Sequence, residues 1–371
     1  MPFNRHLSRR DFIKLAGAGL GGLALRPFDR ILKPLPQFPA GQTLGRVSVF
    51  PYYFSTELKA SPHAFAATIR NLGEDEVVTW NREVIGTTTN FSLTNQTWVE
   101  TPEGYVFKPH LQLVRNEPNV PLTSLPEGKS GFWAEVTVPY VDLVMDNPPP
   151  RSPSYKYVID LGQTPRLYYK QIVWIDQIKT GDGGRVLYRF NEDPGHGYGY
   201  GDILWGDGSA FRPLTEADTS PLSPDVDPAE KLIEVNLTYQ TMSAFEAGRE
   251  VYFCRVSTGI GDYATPKGDQ YVHWKIYSIN MSSSSTASGS GYDTSGVSWP
   301  SFINGQGVAF HAAFWHNYFG QTRSHGCINM LPEDAQWVFR WTAPHVSMEQ
   351  SEIRMTWPNV GTKVTVMERL Y

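Results

Sequence analysis

The stretch HAAFWHNYFGQTRSHGCINM, His311 to Met330, decides how this chain is read. It holds three of the nine histidines (His311, His316 and His325) and one of the two cysteines, Cys327. The nucleophilic form of cysteine is the thiolate, and an unassisted thiol with a pKa of ~8.5 is only a few per cent ionised at neutral pH. A neighbouring imidazole changes this by taking the proton. His325 is two residues from Cys327, and on extended backbone positions i and i+2 share a face. The short path between them restricts the angle at which the His325 ring meets the sulfur. The preceding run, GQGVAFHAAF, reads as a short strand reaching His311, from which an imidazole approaches across a sheet in better geometry. His311 is therefore the expected base and His325 a supporting member of the site.

The residues around Cys327 fit the same chemistry. Gly326, without a Cβ, lets the backbone turn closely past a substrate carbonyl. The N–H groups of Gly326 and Cys327 are the expected oxyanion donors, with that of His325 next. Ser324 and Asn329 carry side chains suited to tying the loop together. A rival reading gives His311, His316, His325 and Cys327 to a zinc ion, since His311 and His316 have the H-x4-H spacing of some zinc pairs. The reading adopted has no metal and no cofactor. His316 is otherwise a plain loop residue. A serine triad at Ser324 is disfavoured because Cys327 occupies the place where the turn presents a nucleophile.

Working outward, 371 residues allow two or three domains. The 33 Gly, 28 Pro and 13% aromatic residues favour short strands and tight turns over helical bundles. A net charge of −5 gives no attraction to nucleic acid. At the N-terminus, Arg9 and Arg10 stand directly before a short apolar run from Ile13 to Leu25, the layout of an export signal. Ser8, Arg9, Arg10, Phe12 and Lys14 resemble the twin-arginine pattern, which makes the export machinery a partner and the cell envelope the destination. The segment has no clear cleavage site and can stay as an anchor. In an oxidising exterior Cys254 and Cys327 can pair; a nucleophilic Cys327 requires that they do not.

A Pro-rich linker completes residues 1–44. Residues 45–117 read as short strands, and Trp98, Gly104 and Tyr105 in TWVETPEGYVF resemble the closing strands of bacterial SH3-like modules. Residues 118–225 read as a second, decorated SH3-like β module, ending in the linker EADTSPLSPDVDPAE. From 226 to 371 strands gain longer connections: a hairpin turning at Glu246-Ala247-Gly248, a turn at TPKG, a helix at LPEDAQWVFRWT and a closing strand at GTKVTVME. The polar loop SSSSTASGSGYDTSG is a candidate lid, flanked by Tyr292 and Trp299, for which substrate binding stands beside a plain packing role.

The motif SHGCIN after an upstream strand histidine resembles the signature of L,D-transpeptidases of the YkuD type, with His311, Ser324, His325, Gly326, Cys327, Ile328 and Asn329 at the matching positions. The likeness extends through VSTG (Val256 to Gly259), TPKG (Thr265 to Gly268) and the final strand, covering about Lys231 to Tyr371. It implies a mainly β architecture: a YkuD-like β-sandwich with one or two short helices, behind the two small SH3-like barrels. It implies that Cys327 attacks a peptidoglycan stem tetrapeptide, releases D-alanine, and passes the acyl group to an amine of a second stem in a 3→3 cross-link. A carboxypeptidase passing it to water, or a non-catalytic wall-binding protein, are the alternatives. The family's base is held by a backbone carbonyl, here near Ala312, and acylation of Cys327 by carbapenems would follow. Oligomeric state is open.

Overall fold

The computed structural model describes residues 32–39, 41–49, 55–88, 95–192, 200–282 and 293–370. Arg9, Arg10, Tyr292 and most of the expected lid lie outside the described residues. The molecule is mainly β, with few helices.

In the N-terminal portion, β1 (Leu44–Val47) lies between Val77–Thr79 and β2 (Leu111–Val114), antiparallel to both. A five-stranded sheet built on Ser55–Lys59 and Thr97–Glu100 completes this module around Val47, Leu58, Leu72, Trp80 and Val99. The segment EVVTWNREVIG forms two strands with a break at Trp80 and Asn81. The second portion carries a six-stranded antiparallel sheet, a helix α1 (Pro153–Asp160) started by Ser152 and a proline, and the strands β3 (Arg166–Tyr168) and β4 (Ile172–Thr180). Its Trp133, Ile172 and Leu214 share one apolar cluster with the C-terminal portion.

The segment expected to be a free linker is structured. Helix α2 (Glu216–Thr219) forms there because Thr215 and Asp218 make a reciprocal capping box, and Arg212 pairs with Asp218 at 2.9 Å. The chain beyond it is held on the C-terminal helix through Ser220 O, which accepts from Arg340 at 2.8 Å, and Asp218 O, which accepts from Gln336 at 3.0 Å.

The C-terminal portion is built on two five-stranded sheets. The first runs β7-β6-β5-β14-β8, from β5 (Lys231–Asn236), β6 (Thr241–Glu246), β7 (Arg249–Arg255), β8 (Gly268–Tyr271) and the closing strand β14 (Lys363–Met367). The β6–β7 turn falls at Ala247 and Gly248, both at positive φ, as the hairpin reading requires. The second sheet runs β12-β11-β10-β9-β13, from β9 (Trp274–Ile276), β10 (Ser301–Phe302), β11 (Ala309–Ala312), β12 (Ile328–Met330) and β13 (Glu352–Arg354). Strands β11 and β12 are parallel, so the loop joining them must cross over from one end to the other.

Helix α3 (Pro332–Trp341) follows β12 directly and buries Ala335, Val338, Phe339 and Trp341 in the main core. Its last carbonyls are satisfied by two lysines. Lys275, fully buried, donates to Phe339 O, Thr342 O and Pro344 O at 2.5–2.8 Å. Lys231 donates to Trp341 O at 3.0 Å. The two amines complete orphan acceptors at the helix end.

Candidate active site

The parallel β11–β12 register pairs His311 with Asn329 and Phe310 with Ile328. Cys327, two residues before Asn329, is thus the diagonal neighbour of His311. At ordinary strand spacing that diagonal is roughly 8 Å between Cα atoms, a span within reach of an imidazole and a thiol on a shared face. His311 is buried and its Nδ1 lies 3.0 Å from Ala312 O. A carbonyl only accepts, so Nδ1 carries the proton and Nε2 presents its lone pair. The Cys327 side chain is partly buried and packs, as Trp315 does, against the cluster of Ile276, Ile279, Val297, Phe302 and Ala309. Both cysteines are free thiols, Cys254 being buried on β7.

Burial governs the ionisation of both groups. It pushes the Cys327 thiol up to about 11, with a backbone hydrogen bond at Ala309 opposing, and the His311 imidazole down to about 4 against the Ala312 bond. The resting pair is therefore neutral. The arrangement favours proton transfer in step with attack over a standing ion pair.

Three motifs far apart in the chain are sewn together beneath the sulfur. The Thr265 hydroxyl donates to Gly326 O at 2.8 Å and accepts the Gly259 N–H at 2.9 Å. Ser257 exchanges both backbone hydrogen bonds with Asn329, at 2.9 and 2.8 Å. Thr258 O accepts the N–H groups of Arg323 and Ser324. Gly259 is required because a Cβ there would sit 1.9 Å from Tyr263 O. Gly326 is required by its φ of +113°, a conformation that side chains rarely adopt.

That φ changes two expectations. The i, i+2 argument for His325 assumed extended backbone, and the chain is not extended at Gly326. His325 is exposed and its ring rests on Tyr263, 4.4 Å between centroids. The Gly326 N–H also donates to Ser324 Oγ at 3.1 Å, while Ser324 Oγ donates to Cys327 O at 2.5 Å. The turn thus consumes the Gly326 donor offered to an oxyanion, which leaves the N–H groups of Cys327 and His325 as the candidates.

Trp299, for which substrate binding and packing were both open, takes the packing role: it is a core residue at 1% exposure, with its ring 5.2 Å from that of Phe339 and 6.0 Å from that of Tyr277. Nor do the four proposed zinc donors converge. No three His, Cys, Asp or Glu side chains form a metal cage among the described residues. Both nitrogens of His316 are already engaged inside the protein, and His325 turns outward onto Tyr263.

His316 is the residue that sequence reasoning undervalued. It is buried, and burial followed by the nearby Arg323 charge holds its pKa down at about 3, so the ring is neutral with a single N–H. Its Nδ1 accepts the Tyr318 N–H at 3.2 Å. The proton must then reside on Nε2, 3.0 Å from the Asn329 amide. A donor cannot face the amide's NH2, so the Asn329 oxygen is assigned to this contact. That orientation also supplies a partner to Asn329 Oδ1, a buried oxygen otherwise without one. The only prior signal was a second histidine between base and nucleophile.

Residues 230–366 match the family model of the L,D-transpeptidase catalytic domain, YkuD. This portion of the chain is similar to that catalytic domain. Solved structures similar to the chain include an L,D-transpeptidase mutant from Enterococcus faecium at 23% identity and a TM-score of 0.30, covering 42% of this chain and 56% of that one. An L,D-transpeptidase from Mycobacterium smegmatis aligns at 18% identity and a TM-score of 0.31, over 52% of this chain and 98% of its own. L,D-transpeptidase 3 from Mycobacterium tuberculosis aligns at 20% identity and a TM-score of 0.31, over 50% and 92%. The chain thus spans little more than half the length of the Enterococcus faecium protein. No curated protein matches the sequence.

Proposed function

We propose that the protein is an exported cysteine acyltransferase that joins peptidoglycan stem peptides through a thioester on Cys327. The observation carrying this reading is a partly accessible thiol on a turn fixed by Gly326, diagonal in the sheet to a buried histidine whose Nδ1 proton is held by Ala312 O. In the first step His311 Nε2 takes the thiol proton while Sγ bonds to the donor carbonyl carbon. The Cys327 N–H meets the developing oxyanion. The C–N bond to the terminal D-alanine then breaks, and the imidazolium returns its proton to the leaving amine. In the second step an acceptor amine gives a proton to His311 and attacks the thioester, and the thiol is restored. His325 and Tyr263 form the outer wall of the site, while Ser324, Asn329 and His316 hold its backbone.

The test incubates the full chain with a disaccharide tetrapeptide and follows products by mass. A cross-linked dimer with released D-alanine supports transfer. Tripeptide and D-alanine alone would replace transfer with hydrolysis, and unchanged substrate would refute both. The twin-arginine pattern supports delivery to the cell envelope, with Arg9 and Arg10 read by the export machinery. Changing both to Lys should leave the protein in the cytoplasm; undiminished export would refute that part.

A further inference from the structure

We propose that Arg46, from the N-terminal module, is a positioning residue for the catalytic base, acting through the carbonyl of Phe314 in the loop between His311 and Cys327. The inference rests on the His311–Cys327 reading above and gives the N-terminal modules a place in the active-site scaffold.

Arg46 sits on β1 at 1% exposure. Taking a guanidinium out of water costs several kcal/mol, so its burial stands only where the surroundings satisfy the whole fork. They do so with groups from every part of the chain. Nη1 donates to Asp75 Oδ1 at 2.6 Å, and Nε and Nη2 both reach Gln112 Oε1, at 3.1 and 2.8 Å. Nη2 also donates to Phe314 O at 2.8 Å, a contact across 268 positions of sequence. The guanidinium carbon lies 4.1 Å from the centre of the Tyr168 ring, on β3 of the second module, and that ring stacks on Phe314 at 5.6 Å. Asp75 in turn accepts from Arg166 at 2.8 Å and from the Tyr168 hydroxyl at 3.2 Å.

Phe314 O lies two residues beyond Ala312 O, the acceptor that fixes the His311 tautomer. The next ring, Trp315, is 5.8 Å from that of His311. The same loop is gripped again at Asn317, whose Nδ2 donates to Leu111 O on β2 at 2.9 Å, and at Tyr318, whose ring lies 5.7 Å from that of His110. The loop from base to nucleophile is therefore gripped from two neighbouring modules. A module that served only as a tether to the wall would not require a buried cation aimed at this carbonyl.

The test measures the rate at which iodoacetamide alkylates Cys327 in the full chain between pH 5 and 10, mapped by mass so that Cys254 is excluded. It is run on the wild type, Arg46→Met, Tyr168→Leu, Tyr168→Phe and His311→Gln. Donor acylation is followed in parallel. Arg46→Met is expected to move the alkylation profile toward that of His311→Gln. It should also slow donor acylation about 10- to 100-fold, the cost expected of a misplacement near 1 Å, with KM little changed. If Arg46→Met does not fold, Tyr168→Leu carries the test, because it removes the ring that backs both Arg46 and Phe314. Tyr168→Phe keeps that ring and should behave as wild type. A chain that melts earlier yet keeps the wild-type profile and acylation rate would make Arg46 only a domain tie and overturn the inference. If His311→Gln itself leaves the profile unmoved, the base assignment falls and this inference with it. If His311→Gln moves the profile and neither Arg46→Met nor Tyr168→Leu does, the Arg46 inference alone is overturned.

Discussion

Replacing Thr265 by Val removes one hydroxyl and almost nothing else. The two side chains have nearly the same shape, and Thr265 is buried at 3% exposure, so no water replaces the lost group. The hydroxyl joins Gly259 N–H to Gly326 O at 2.9 and 2.8 Å, and both partners belong to the backbone that frames Cys327. Leaving a buried donor and a buried acceptor without partners costs about 1–3 kcal/mol each. Partial relaxation of the Ser324–Cys327 turn recovers some of this, so a net loss of about 2–4 kcal/mol is expected. Urea unfolding measures that loss, and the rate of Cys327 acylation by a stem tetrapeptide measures its effect on the site. Both should fall in Thr265→Val, and Thr265→Ser should restore most of each. A loss below about 1 kcal/mol with an unchanged acylation rate would refute the claim that this hydroxyl ties the three motifs together.

Other consequences are equally direct. His316→Leu removes the Nε2 proton that orients Asn329 and should slow acylation more than it raises KM; an unaltered rate in a folded variant would dismiss the tautomer argument. His311 and His316 are held neutral, at about 4 and about 3 in the fold against an ordinary 6.5. The unfolded chain therefore binds more protons below pH 6.5, and stability present above that pH should drain away as pH falls. At pH 5 the loss is about 2 kcal/mol for each ring, read from urea melts at pH 7 and pH 5; equal stability at both would contradict it. Lys275→Met strips Phe339 O, Thr342 O and Pro344 O of their donor, at about 1–3 kcal/mol for each acceptor left buried without a partner, and thermal unfolding measures the loss; a change below about 1 kcal/mol would argue against the cap.

Much of this architecture is legible in the chain because its cues are local. The Ala247-Gly248 hairpin turn, the proline and acids that open α3, and the alternating strand at Lys363–Met367 all follow from neighbours in sequence. The cysteine and histidine of the site stand out by residue type and spacing. What escaped depends on conformation or on distant partners. The positive φ at Gly326 turns His325 outward and spends the Gly326 N–H on Ser324, and neither outcome follows from residue types. The sequence left Trp299 open between cleft and core, and its partners Phe339 and Tyr277 come from separate elements. Arg46 meets Phe314 across nearly three-quarters of the chain, so no local pattern announces it.

The claim on which the account depends is that His311 takes the proton of Cys327 as the sulfur attacks a donor carbonyl. Intact-mass measurement after mixing the full chain with a stem tetrapeptide, followed by peptide mapping, tests it directly. The account predicts a tripeptidyl adduct on Cys327 of the wild type, absent in Cys327→Ala and strongly slowed in His311→Gln. An adduct elsewhere, no adduct at all, or one that forms at the wild-type rate without the His311 imidazole would contradict it.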